Sequence, residues 1–106
     1  MMVVVTMAGS GLRFRNAGFA EPKPRIRAAG RSLLDWSLES LRNFRGFPFV
    51  FVTLRRFDDR SFIRRAAAEA GIDRFELLEL DAPTAGQAAT VLAASSLLGD
   101  EPILVY

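Results

Sequence analysis

Four short apolar runs alternate with three helix-like stretches in this sequence, and that alternation restricts the fold more than any other feature. Residues 3–7 are short, β-branched and bounded by glycine, which predicts a fully buried strand. Residues 49–54 predict a second buried strand, residues 75–80 a strand with alternating pattern, and residues 103–106 the start of another. Between them, residues 32–44 predict a helix. Ser32 and Asp35 make a capping-box start, and Leu34, Leu38, Leu41 and Phe44 form one apolar stripe. Gly46 and Pro48 break it. Asp58 or Asp59 is placed to cap a helix that runs to Ala70 with Phe62, Ile63, Ala66, Ala67 and Ala70 inward, and Gly71 stops it. Pro83 and Thr84 predict a turn before a helix over 86–98, which Gly99 ends. Strands alternating with helices imply an α/β fold: three layers, a mostly parallel sheet with helices on both faces, wound by right-handed crossovers. Ligands of such sheets bind beyond the carboxyl ends of the strands. The loop after Met7 and the turn after Leu80 both fall there.

With 106 residues, half of them hydrophobic, the chain is expected to be one folded domain, residues 1–106. No apolar run approaches the ~20 residues that span a bilayer. The start lacks the positive flank of a signal peptide, so a cytoplasmic location is the default expectation, with no membrane partner. Cysteine and histidine are both absent, which removes disulfides, a thiolate nucleophile and the usual transition-metal ligands. A metal would have to be a hard ion held by carboxylates, such as magnesium. The net charge is +2, and thirteen of the fourteen cations are arginine, but they are scattered. A nucleic-acid groove needs clustering with interleaved aromatics, so no nucleic-acid partner is expected.

The densest chemistry lies in residues 7–27, MAGSGLRFRNAGFAEPKPRIR. Glycines let backbone N–H groups close around an anion. Gly9 and Gly11 flank Ser10, and Arg13 follows two residues later with a fork suited to phosphate oxygens. The only lysine, Lys23, stands between Pro22 and Pro24, which stiffen the backbone around a compact ammonium charge. On this reading the loop binds the β and γ phosphates and Lys23 meets the α phosphate. A Walker A loop needs glycine followed at once by lysine and Ser/Thr, and none is present. A dinucleotide fingerprint needs glycine where Phe14 stands. Each motif alone is equally a structural turn or a rigid loop.

Together, Gly9-Ser10-Gly11-Leu12-Arg13 and Pro22-Lys23-Pro24 resemble the amino-terminal signature of the sugar-phosphate nucleotidyltransferases, the pyrophosphorylases that make nucleotide sugars. The stretch RAAGRSLLDWSLESL resembles the helix entry of that family, and DAPTAGQAATVLAA resembles its second nucleotide loop. The resemblance covers essentially the whole chain. It implies transfer of NMP from a nucleoside triphosphate to a sugar 1-phosphate, with pyrophosphate release. Positioning and cations would carry most of such catalysis, with no histidine required. It places Ala8 and Gly9 near the ribose, Ser10, Gly11 and Arg13 at the leaving phosphates, Lys23 at the α phosphate, and Gly86 and Gln87 at the base.

Two departures accompany it. Leu12 stands where the family often has a hydroxyl residue. The family also places a magnesium-binding aspartate just beyond the strand that begins here at Ile103, and a second much further on. This sequence ends at Tyr106, and Asp100 and Glu101 precede that strand. The expectation is therefore the amino-terminal, nucleotide-binding half of such an enzyme, without its magnesium ligands. It should make no nucleotide sugar by itself and should self-associate through an open sheet edge. The alternatives are a non-catalytic nucleotide-binding or regulatory module, and a dinucleotide binder with Asp58 or Asp59 as its ribose-binding acid.

Overall fold

A computed structural model describes residues 1–8 and 23–106. Most of the glycine-rich segment, with Gly9, Ser10, Gly11 and Arg13, lies outside the described residues. One sheet contains β1 (Met2–Thr6), β4 (Phe49–Leu54), β5 (Phe75–Leu80) and β6 (Ile103–Val105), in the order β5-β4-β1-β6. Every pairing is parallel, with Thr6 opposite Val52, Val52 opposite Leu78, and Val4 opposite Val105. The two central strands are hydrophobic on both faces, as a doubly covered parallel sheet requires.

The period-two alternation of side chains separates two cores. Val3, Val5, Phe49 and Phe51 pack on one face with Leu34 and Leu38 of α1 (Leu33–Ser40) and with Ile63, Ala66 and Ala67 of α2 (Arg60–Glu69). The Phe51 ring meets that of Phe75 edge-on at 5.8 Å. Val4, Val50, Val52 and Leu54 face the opposite side with Ala94 and Val91, where α3 (Gln87–Ala93) runs. The three expected layers are thus present. The chain winds from β1 through β4 to β5 over one face, then returns to β6 over the other, as right-handed crossovers demand when direction reverses.

Helix ends differ from the expectations in physically legible ways. The capping box is present: the Asp35 amide donates to Ser32 Oγ at 3.1 Å, and the Ser32 amide to Asp35 Oδ2 at 3.2 Å. The first helix stops at Ser40, and a 3-10 turn at Arg42–Phe44 continues its stripe, so Phe44 still packs on the core. The third is shorter than expected and gives way to a 3-10 turn at Ser95–Leu97. Gly71 has φ +76°, the left-handed conformation that ends the second helix. A small hairpin, β2 (Arg27–Ala28) with β3 (Arg31–Ser32), was not expected. Its turn residues Ala29 and Gly30 both have positive φ, at 51° and 82°.

Candidate functional site: the carboxyl rim of the sheet

The four strands of the main sheet point the same way, so their carboxyl ends form one rim. At the end of β1, Ala8 is fully buried and its carbonyl accepts the Thr84 N–H at 3.1 Å. That bond brings the segment before α3 from the far edge of the sheet to the central strand. Thr90, itself buried, donates its hydroxyl to the Gly86 carbonyl at 3.0 Å and meets the Thr84 hydroxyl. The Gln87 amide donates to Thr6 Oγ1 at 3.4 Å. Thr6 Oγ1 in turn donates to the Tyr106 carbonyl at 2.9 Å, and the Tyr106 hydroxyl meets Ser40 Oγ at 3.1 Å. Ala8, Gly86 and Gln87, distant in sequence, therefore share one end of the fold. Thr6, Thr84 and Thr90, which hold them there, were not read as functional from the sequence. Their signal was weak: Thr6 ends an apolar run, Thr84 follows a turn proline, and Thr90 lies inside a helical pattern.

Gly86 is notable for what the backbone does not require. Its φ of 166° is ordinary extended backbone, and a Cβ built on it would meet nothing within 4 Å. Among the described residues, packing gives no reason for glycine there, and the space beside the rim stays clear.

The second part of the rim lies at the end of β4. Lys23 opens a short 3-10 turn, Lys23–Arg25. Arg25 Nε donates to Asp59 Oδ1 at 2.6 Å, and its Nη2 donates to the Asp58 carbonyl at 3.0 Å. The guanidinium lies 5.0 Å from the Phe62 ring centroid, within cation–π range. The Asp59 side chain is 1% exposed, and its other oxygen accepts from Thr53 Oγ1 at 3.3 Å. Thr53 follows Val52, the partner of Thr6, so this ion pair sits one strand over from the end of β1. The expectation of a helix cap is corrected in one respect. Asp59 occupies the cap position of α2, but its side chain makes no capping bond. The carboxylate is held by Arg25 and Thr53 instead.

Further out, Arg55 Nε donates to Asp81 Oδ1 at 2.9 Å. The Arg55 guanidinium is held protonated above its ordinary range, first by the Asp81 hydrogen bond and then by the charges of Asp81 and Glu79. These pairings bear on magnesium. Among the described residues, no three acidic side chains gather into a metal-holding group. Asp59 and Asp81 both pair with arginine. Asp100 and Glu101 precede β6, at the opposite end of the sheet, where Glu101 meets the Met1 amine at 3.4 Å. No described helix is long and apolar enough to cross a membrane.

The sequence matches no protein-family model. No curated protein matches it either. Among solved structures, it matches the nucleoside-diphosphate-sugar pyrophosphorylase from Vibrio cholerae RC9, at 33% identity and a TM-score of 0.83. The match covers 100% of this chain and 46% of that one, so the chain spans just under half of its neighbour's length. In sequence and in fold, over the whole of its own length, this chain is similar to part of a nucleoside-diphosphate-sugar pyrophosphorylase.

Proposed function

We propose that this chain is the nucleotide-binding part of a nucleotidyltransferase, and that its carboxyl rim holds a nucleoside triphosphate whose NMP is transferred to a sugar 1-phosphate. The observation that carries the reading is the full-length match to a nucleoside-diphosphate-sugar pyrophosphorylase at 33% identity. The rim supports it physically: Ala8, which opens the glycine-rich segment, is hydrogen-bonded to Thr84, and Gly86 leaves clear space beside it. On this reading Ala8 and Gly9 flank the ribose, while Gly86 and Gln87 face the base. Ser10, Gly11 and Arg13 hold the leaving phosphates, and Lys23 stabilises charge developing on the α phosphate. Oxygen of the sugar phosphate attacks that phosphorus as the bond to pyrophosphate breaks, so no proton needs to be moved by the protein. No step of this reading runs through magnesium held by the described residues.

Calorimetry with matched triphosphates and monophosphates tests it. An NTP should bind more tightly than the matching NMP. Arg13→Ala should remove most of that difference, since a charge-assisted contact contributes roughly 1.5–3 kcal/mol. Equal affinities would sink the phosphate-loop assignment.

A further inference from the structure

We propose that Arg25 and Asp59 form a clamp that positions the Lys23 turn against the rim, which makes Arg25 a positioning residue for the lysine. The inference rests on the reading of Lys23 as the group that meets the α phosphate.

Three observations carry it. First, Asp59 is buried, and a buried carboxylate is tolerated only when paired and hydrogen-bonded. It has a nearer use available as the side-chain cap of α2, a role aspartate commonly fills. The structure leaves that cap unmade and turns the carboxylate to Arg25 and Thr53. Second, Arg25 is held at three points: the Asp59 carboxylate, the Asp58 carbonyl and the Phe62 ring. Asp58 presents its carbonyl from a left-handed conformation, φ 50° and ψ 52°, one that aspartate tolerates more readily than most non-glycine residues. Third, Lys23 and Arg25 are the first and last residues of one 3-10 turn, and Pro24 between them has a locked φ. Anchoring Arg25 therefore leaves the Lys23 backbone little freedom. A lysine stem is flexible, so the precision with which its ammonium meets a phosphate depends on where that backbone is held.

The chain has one lysine, which supplies the test. Amine acylation followed by peptide mapping reads Lys23, with the Met1 amine as internal reference. ATP, CTP, GTP, UTP and dTTP are the probes, with affinities from calorimetry. The variant is Arg25→Met combined with Asp59→Asn, which removes both charges together and keeps an acceptor for Thr53. In the wild type, a bound triphosphate should slow Lys23 acylation by about fivefold or more, as a charge-assisted contact would. In the double variant, a triphosphate should still bind, and more tightly than the matching monophosphate, while that protection, read at saturating nucleotide, falls below about twofold, a split that general loss of structure would not produce. Arg25→Gln with Asp59→Asn keeps a neutral hydrogen-bonded pair and should retain part of the protection, which covers the case in which the first variant does not fold. Full wild-type protection in either folded variant, with nucleotide bound, overturns the clamp and leaves the role of Lys23 standing. A wild type whose Lys23 reacts equally fast with bound triphosphate removes the lysine from the phosphate site, and the clamp with it. A wild type that binds none of the five triphosphates removes the nucleotide reading itself.

Discussion

Asp59 shows how strongly a single residue here depends on its partner. Breaking a buried ion pair from one side is costly because the other charge stays behind, about 3–5 kcal/mol when both members are deeply buried. The Arg25 side chain is 35% exposed, so water screens part of that cost. Arg25→Met alone should therefore destabilise the protein by about 2–3 kcal/mol in urea unfolding, below the fully buried figure. Adding Asp59→Asn should recover much of the loss. If Arg25→Met alone has no effect, the carboxylate is hydrated in solution and the pair contributes little. The contrast is Arg55 with Asp81, an exposed pair in which both side chains are more than half accessible. Because the folded-state pKa of Arg55 is raised, its contribution is fully present below the unfolded value and is lost only as pH rises through the folded one. Both lie far above neutrality, so this pair gives stability no pH dependence near neutral pH. Arg55→Ala should leave the urea midpoint unchanged within error.

The elements follow local chemistry closely where a side chain contacts its own helix, and less closely where the chain must turn. Ser32 was legible as a cap because its hydroxyl, Asp35 and the apolar stripe are all within one turn of each other. Ser32→Ala should cost about 1 kcal/mol, read as a lower unfolding midpoint with an unchanged slope. A loss near zero would mean that water satisfies the freed amides. The sequence predicts a longer third helix because Ala94, Leu97 and Leu98 continue its apolar pattern, while the structure tightens Ser95–Leu97 into a 3-10 turn. The hairpin at 27–32 is not legible in the sequence for a different reason. Ala29 adopts φ 51°, a conformation alanine rarely takes unaided. It is supported by contacts from elsewhere: Trp36 Nε1 donates to the Ala28 carbonyl at 2.7 Å, and the Arg31 guanidinium lies 4.8 Å from the Trp36 ring centroid.

At the level of the whole molecule, β6 pairs with β1 along one edge, and among the described residues no strand lies along its other edge. Ile103, Val105 and Tyr106 are among its more exposed large side chains. A strand edge of this kind, apolar and without lysine, is a template for a second copy. This 106-residue chain should therefore self-associate, and light scattering at micromolar concentration checks it: a monomer throughout would refute the expectation. The parallel α/β architecture was legible in the sequence. Apolar runs of strand length and stripes of helical period are local consequences of burial, and right-handed crossovers leave few ways to arrange them. The loop after Met7 and the turn after Leu80 could be assigned to one rim on the same grounds, because a parallel sheet sends all its carboxyl ends one way, while the choice of Ala8, Gly86 and Gln87 within them followed from the family resemblance. The partner of Arg25 could not be read, since it is 34 residues away and its nearer role was to cap a helix. Nor could the threonines that tie the 84–90 segment to β1 be singled out. Such pairings depend on which groups the packed layers bring within hydrogen-bonding distance, and neither side-chain chemistry nor sequence spacing determines that before the layers have packed.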